Sequence, residues 1–172
     1  MTEAEKQTFE QIITQYRQSL FKVVVTFESD PKLQQDLHQE ILLAIWQALA
    51  SFKGQSSVHT YIYRVAYNKA LNHVAKQSRT PAYQDLDEAH ICPQPGPESS
   101  LHTTTEINQL MIAIRQLPVT QRQLITLGLE GVSYLDIGEI TGLSVSNVGV
   151  QINRAKKAMK EILQQTSIGA RK

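Results

Sequence analysis

The chain has 172 residues and a formal net charge of +1, from 17 basic and 16 acidic residues, so its total charge does not by itself identify a nucleic-acid-binding protein. Its one cysteine excludes an internal disulfide bond. We find no apolar run in the sequence that resembles a signal peptide or a membrane span, and we therefore expect a cytoplasmic protein without direct membrane insertion.

Helical periodicity dominates the first 78 residues. Apolar residues recur at helical spacing between residues 9 and 27, and again between residues 33 and 52. Asp30 and Pro31 provide an N-cap and a first-turn proline for the second helix. A third helix is expected to open at Ser56 or Ser57 and to run to about Gln77. Three long helices with short connections predict a compact bundle over residues 1–78.

Residues 79–103 lose this periodicity. The segment contains four prolines, and its one basic and four acidic residues give it a net charge of −3. Such a composition predicts an extended linker. It also contains His90 and Cys92, but no pair of histidine or cysteine residues in the chain has zinc-finger spacing. The sequence therefore predicts neither a metal ion nor another cofactor.

Residues 104–172 are predicted to form a second small helical bundle that ends in a helix-turn-helix. Two helices, over residues 107–117 and 121–130, precede it. The first helix of the motif would span Ser133 to Thr141, and the second would begin at Val145. Between them, Gly142 can adopt the positive φ that ends a helix, and Ser144 can cap the next one. The expected fold is therefore all-α, with two small helical bundles joined by an extended linker.

A tight turn between two short amphipathic helices is the geometry that places a recognition helix in the major groove of DNA. Similar helical hairpins also occur in protein cores. Residues 106–172 carry eight basic and five acidic residues, and Arg154, Lys156, Lys157 and Lys160 lie within seven positions. This basic run favours DNA binding, although a solvated helix face is the alternative.

Three motifs stand in the first bundle and three in the second. The first set comprises Asp36, Leu37, Gln39 and Glu40; Phe52, Gly54, Ser56 and Ser57; and Tyr63, Arg64, Ala66 and Asn68. The second set comprises Leu117, Pro118 and Arg122; Gly131, Ser133, Tyr134 and Ile137; and Arg154 and Ala155. In this order and spacing, the motifs resemble those of the extracytoplasmic-function (ECF) group of RNA polymerase sigma factors, over about three quarters of the chain.

The resemblance implies a role for each part of the chain. Residues 1–78 would be sigma region 2, which docks on core polymerase and recognises and melts the −10 element, and residues 104–172 would be sigma region 4, which recognises the −35 element. The residues of this chain that dock on the beta-prime clamp helices of polymerase would be Asp36, Gln39 and Glu40. The −10 residues would be Lys53, Ser56, Ser57, His59, Tyr61, Arg64, Asn68 and Lys69. The −35 residues would be Ser144, Ser146, Asn147, Gln151, Asn153, Arg154 and Lys156.

The partners that the resemblance implies are core RNA polymerase, including its beta flap, promoter DNA and an anti-sigma factor. The chain departs from the family pattern at several places. The acidic pair that usually precedes Asp36 is absent, and Tyr61 stands where the family usually has tryptophan. Gly149, Val150 and Gln151 stand where the family commonly has Lys-Ser-Arg. Because two positive charges are missing there, and each lost phosphate contact lowers affinity, we expect weak −35 binding.

Two other functions fit parts of the sequence. One is a DNA-binding regulator that uses only the helix-turn-helix, with the first bundle as a dimerisation or sensing domain. The other is an interaction factor that binds polymerase or an anti-sigma partner without reading a promoter. We do not expect an enzyme, because the sequence has no glycine-rich phosphate loop, no catalytic constellation and no carboxylate cluster.

Overall fold

The computed structural model describes residues 3–79 and 101–169, and the side chains of residues 9–78 and 107–165. All regular secondary structure in these ranges is helical, which confirms the predicted all-α class. The chain divides into two compact units, one containing α1 to α3 and the other α4 to α7. Residues 80–100, most of the predicted linker, lie outside the described ranges, and so do His90 and Cys92. The helices are α1 (Glu3–Phe27), α2 (Pro31–Leu49), α3 (Val58–Arg79), α4 (Leu101–Gln116), α5 (Val119–Leu129), α6 (Tyr134–Thr141) and α7 (Val145–Gly169).

The three helices of the N-terminal unit pack against one another around an apolar core. The sequence correctly predicts where α2 begins: the Asp30 carboxylate accepts a hydrogen bond from the N–H of Lys32 at 2.7 Å, and Pro31 occupies the first turn. Each large apolar side chain that is fully buried contributes roughly 1.5–3 kcal/mol to folding. The fully buried side chains include Leu20, Val24, Leu37, Ile41, Ile45, Ile62 and Tyr67.

A buried carboxylate ties the connection between α1 and α2 to the end of α3. The side chain of Glu28 accepts hydrogen bonds from the N–H groups of Ser29 and Asp30 at 2.7 and 2.9 Å. Its other oxygen lies 2.6 Å from His73 Nε2 and 2.5 Å from Gln77 Nε2. Burial acts to raise the pKa of Glu28, but these hydrogen bonds outweigh it and hold the pKa below its ordinary value. The unit is therefore stabilised by the ionised carboxylate.

The C-terminal unit begins with α4 and α5, which meet at a corner formed by a bend at Leu117 and Pro118. The first residue of α4 is Leu101, so the helix starts within the segment that the sequence assigns to the linker. At the corner, the guanidinium of Arg122 donates to the carbonyl oxygens of Arg115 and Leu117, the latter at 3.2 Å. These are carbonyl groups at the end of α4 that have no partner within the helix. Arg122 therefore fixes the direction in which α5 leaves Pro118.

The helix-turn-helix of α6 and α7 forms as the sequence predicts. The Ser133 hydroxyl accepts a hydrogen bond from the N–H of Asp136 at 3.1 Å and caps α6. Gly142 ends that helix with a φ of 75°. The Ser144 hydroxyl then accepts from the N–H of Asn147 at 3.3 Å and caps α7. The turn is thus defined by Gly142 and the Ser144 cap.

A second glycine allows the turn to pass close to α6. A Cβ atom on Gly138 would lie 2.8 Å from the carbonyl oxygen of Leu143, a distance that side chains essentially never show. The close approach at Gly138 was not predicted from the sequence. Its signal was a glycine inside an eight-residue helix, where glycine is about 1 kcal/mol less favourable than alanine. By contrast, a Cβ on Gly149 would meet the ring of Tyr134 at 3.5 Å, an ordinary contact.

Candidate functional site

The predicted docking residues share one exposed face of α2. Asp36, Gln39 and Glu40 are exposed, whereas Leu37 and Ile41 are fully buried. The local cause is helical spacing, because residues three and four positions apart lie on the same side of a helix. The result is a polar surface with two carboxylates, held rigidly by the buried side of the same helix.

Leu43 extends this surface, and the sequence analysis missed it. It is 57% exposed and lies three residues after Glu40, four after Gln39 and seven after Asp36. These spacings place it on the same face. They were available in the sequence, since Leu43 falls outside the apolar positions that mark the buried side of α2. We call Asp36, Gln39, Glu40 and Leu43 the α2 face.

The loop between α2 and α3 is anchored by an aromatic pair. The rings of Phe52 and Tyr61 lie 4.7 Å apart between centroids, and the Tyr61 hydroxyl donates to the carbonyl oxygen of Ala48 at 3.1 Å. At the tip, Lys53 is exposed and Gly54 has a φ of 70°. The loop is therefore held at its base and presents a basic residue at its tip.

Of the two loop serines, one is committed to the fold. The Ser57 hydroxyl accepts from the N–H of Thr60 at 3.0 Å and lies 2.8 Å from the Thr60 hydroxyl, which makes it the N-cap of α3. Ser56 makes a longer contact, 3.4 Å, to the carbonyl oxygen of Ser57. Ser57 thus supports the loop, and Ser56 is the serine whose hydroxyl is less engaged.

The structure brings four of the predicted −10 residues to one face of α3. Asn68 is exposed on the side of α3 that faces away from the core, and Tyr61, Arg64 and Lys69 lie at helical spacing beside it and are half-buried. Asn72 follows four residues after Asn68 on the same side and is exposed. Asn72 was not predicted, although the four-residue spacing was visible in the sequence. We call these five residues the α3 face.

His59 does not join the α3 face. Its ring packs between Tyr16 of α1, at 5.7 Å, and Tyr63, at 4.7 Å. Tyr63 and Tyr67 are 2% and 0% exposed, so both belong to the core. The ring of Tyr67 also contacts Phe27, at 5.9 Å. His59 therefore lies where it supports the packing of α1 on α3.

On α7, two parallel rows of side chains point in opposite directions. Val148, Ile152, Ala155 and Met159 are buried. Shifting each position back by two residues gives a second row that is exposed along its whole length. We call this second row, which lies opposite the core, the outer row: Ser146, Val150, Asn153 and Lys157.

The predicted −35 residues lie on or beside the outer row, with two exceptions. Asn147 and Arg154 are exposed next to it, and Ser144 is exposed at the cap. The exceptions are Gln151, which is half-buried toward the core side of α7, and Lys156, which lines an apolar groove between α5 and α7. Lys157, named in the basic run but not among the predicted −35 residues, occupies the outer row instead.

That groove is an open apolar surface of the C-terminal unit. Leu129 is 59% exposed on one side of the groove, and Lys156 and Lys160 border it. Its apolar lining residues are Ile125, Leu129, Met159 and Leu163. An apolar groove with basic residues at its edge is typical of a surface that binds a segment of another protein.

Two further properties limit the chemistry of the described residues. Within residues 3–79 and 101–169, no group of three or more histidine, cysteine, aspartate or glutamate side chains is placed to hold a metal ion. None of the helices searched in these ranges is long and apolar enough to cross a membrane.

Comparisons with known proteins agree in both units. Residues 12–80 match the family profile of sigma-70 region 2, and residues 107–159 match that of sigma-70 region 4. The ECF RNA polymerase sigma-E factor of Escherichia coli K12 is 30% identical over 171 residues, covering 93% of this chain and 88% of that protein. The RNA polymerase sigma-H factor of Pseudomonas aeruginosa is 29% identical over 170 residues, with the same coverage.

Two solved structures share the fold. The sigma factor RpoE from Bartonella quintana, determined in complex with the anti-sigma factor NepR, superposes with a TM-score of 0.75 at 22% identity over 92% of this chain and 98% of that one. CnrH, determined in complex with the cytosolic domain of CnrY, gives a TM-score of 0.67 at 18% identity over 93% and 90%. The matches to region 2 and region 4, together with the 30% identity to the sigma-E factor of Escherichia coli, show that the chain belongs to the ECF group of RNA polymerase sigma factors, which direct promoter-specific initiation of transcription.

Proposed function

We propose that the α2 face is the surface through which this sigma factor docks on core RNA polymerase, at the beta-prime clamp helices. Asp36 and Glu40 provide negative charge, Gln39 provides an amide, and Leu43 adds an apolar contact. A charged rim around an exposed leucine matches the composition of a transient protein interface. The observation that carries this assignment is that these four residues are exposed on one side of α2, while Leu37 and Ile41, both 0% exposed, hold its other side in the core.

We further propose that the loop over residues 52–57 and the α3 face handle the −10 element. Melted DNA needs aromatic or apolar surfaces on which a base can stack, together with polar groups that read its edge or contact the backbone. Tyr61 provides an aromatic surface beside the loop, and Asn68 provides an amide. Arg64, Lys69 and Lys53 provide positive charge for the strand. His59 has a positioning role in this proposal.

For the −35 element, we propose that α7 enters the major groove with its outer row facing the bases. Ser146, Asn147 and Asn153 supply polar contacts at the beginning of the helix, where recognition helices meet base edges. Arg154 and Lys157 are exposed and placed for phosphate contacts, whereas Lys156 and Lys160 border the apolar groove. Two such contacts, in place of a longer basic series, support weak binding by this unit alone.

Two further partners, the beta flap of polymerase and an anti-sigma factor, are proposed from the membership of this family. The groove formed by Ile125, Leu129, Met159 and Leu163 is a suitable surface for the beta flap of polymerase, because it is apolar and open. Since NepR and CnrY are bound to the structural neighbours of this chain, we also propose control by an anti-sigma factor. We place the protein in the cytoplasm with core polymerase, and we assign it no catalytic step of its own.

The −10 assignment is tested by comparing closed and open complexes of the holoenzyme. Arg64→Ala and Asn68→Ala are expected to reduce permanganate reactivity of the melted region more than they reduce the footprint of the closed complex, because both residues would act on separated strands. Gln18→Ala, an exposed amide on α1, is the control and should leave both signals unchanged. Equal losses in the two assays would make Arg64 and Asn68 structural residues and leave the −10 role to the loop alone.

A further inference from the structure

An exposed valine stands in the middle of the outer row. Val150 is 49% exposed and projects from the side of α7 that faces away from Val148 and Ile152, which are 0% and 1% exposed. One turn before it is Ser146 and about one turn after it is Asn153, both exposed and polar. Single apolar residues on a surface are common. Val150 is distinguished by its position, because the side that carries it is the one that the proposed function directs at DNA.

The side chains next to Val150 leave its methyl groups accessible. Gly149 has no side chain, and its backbone faces the ring of Tyr134. Gln151 is half-buried on the other side. The isopropyl group is therefore the feature that this turn of α7 presents to a groove. It can neither donate nor accept a hydrogen bond, so it can read only an apolar feature of a base.

The major groove offers one such feature. Among the four bases, thymine alone carries an apolar group at the groove edge, its C5 methyl, and small apolar side chains recognise it by contact. We propose that Val150 is a specificity-determining residue that contacts the methyl group of one thymine in the −35 element. This inference rests on the proposed placement of α7 in the groove. It predicts that the −35 element requires thymine at one position. A polar or basic residue at position 150 would either impose no base requirement there or favour another base.

The test uses the complete holoenzyme and a promoter selected from a library with a randomised −35 element. Each thymine of the selected element, on either strand, is replaced in turn by deoxyuridine, which lacks only the methyl group. For the wild-type protein we expect one replacement to weaken promoter binding about fourfold, the effect of withdrawing one methyl group from an apolar contact. Val150→Ala should reduce this loss to less than about twofold.

Val145→Ala is the matched control. It is also an exposed valine of α7, 46% exposed, but it lies toward Gly138 and away from the outer row. It should retain the full fourfold loss. The proposal is overturned if no deoxyuridine weakens binding while the −35 sequence still matters, or if Val145→Ala and not Val150→Ala abolishes the effect. Binding that ignores the −35 sequence altogether would overturn the −35 assignment as well, so the two failures are distinguishable.

Discussion

Replacing Gly138 with alanine tests whether the close approach of α6 to the turn is a true steric requirement. The added Cβ would lie 2.8 Å from the carbonyl oxygen of Leu143, which is a backbone atom and cannot rotate away. Forcing extra atoms into a packed site costs about 1–3 kcal/mol. Alanine also gains about 1 kcal/mol over glycine from helix propensity. The net expectation is a loss of up to about 2 kcal/mol in the stability of the C-terminal unit.

Gly149→Ala provides the matched comparison. It carries the same gain in helix propensity, but its Cβ meets the Tyr134 ring at an ordinary 3.5 Å. This variant should therefore be stabilised by up to about 1 kcal/mol. Because the propensity gain is common to both variants, their difference isolates the steric clash. We expect that difference to be about 1–3 kcal/mol.

The assay is unfolding of the full chain in urea, followed by two signals. Far-UV circular dichroism reports both units. The fluorescence of Trp46, the one tryptophan, reports the N-terminal unit, where its ring packs on Phe9 at 4.6 Å. The fluorescence transition should be the same in both variants and in the wild type, whereas the dichroism should separate them. Equal stabilities of Gly138→Ala and Gly149→Ala would refute the steric argument.

Three further predictions each concern one site of the molecule. Glu28→Gln should lower the stability of the N-terminal unit at pH 7 by about 1–3 kcal/mol. Because the pKa of Glu28 is below its ordinary value, its contribution is present above the pKa of the unfolded chain and is lost as pH falls through the pKa of the folded one, so the variant should lose less stability than the wild type toward acid pH. Unfolding followed by Trp46 fluorescence at several pH values measures both effects. Replacing Gln39 and Glu40 together by alanine should weaken binding to core polymerase without changing stability. The same double change at Glu10 and Gln11, an exposed carboxylate and amide on α1, should leave polymerase binding unchanged. Unchanged co-purification of the Gln39 and Glu40 variant with core polymerase would remove the docking assignment. In salt titrations of promoter binding, Lys157→Ala should reduce the slope of log affinity against log salt concentration by about 0.9, the value for one phosphate contact. Lys156→Ala, beside the apolar groove, should leave this slope unchanged. The reverse ranking would restore the sequence-based choice of Lys156 as the −35 residue.

The local signals of the sequence were sufficient for the helices and the turn. Asp30 and Pro31 marked the start of α2, and Gly142 and Ser144 marked the turn, because caps and positive-φ glycines act within a few residues. The start of α4 at Leu101 was missed. Three consecutive threonines, at residues 103 to 105, follow it, and threonine is a weak helix former, so propensity gave no reason to extend the helix that far.

Sites were harder to predict because they depend on contacts between distant residues. Histidine is a residue type that can bind DNA, so the sequence favoured this role for His59. Only the position of Tyr16 on another helix shows that the ring of His59 is packed. Lys156 and Lys157 are adjacent and chemically identical, so their separation into a groove and the outer row depends on where α5 lies. Glu28 contacts His73 and Gln77, which follow it in the sequence by 45 and 49 positions, and helical periodicity does not reveal contacts over such separations.

The central claim is that both units read the promoter in one holoenzyme. The most direct measurement is run-off transcription by core polymerase with this protein, on templates from a library in which the −35 and −10 elements are both randomised. We predict that transcripts come from templates with a defined sequence in each element, and that each mismatched base pair costs about 1–3 kcal/mol in promoter binding. Transcription that depends on the −10 element alone, or binding to core polymerase without any promoter-dependent transcript, would contradict the claim.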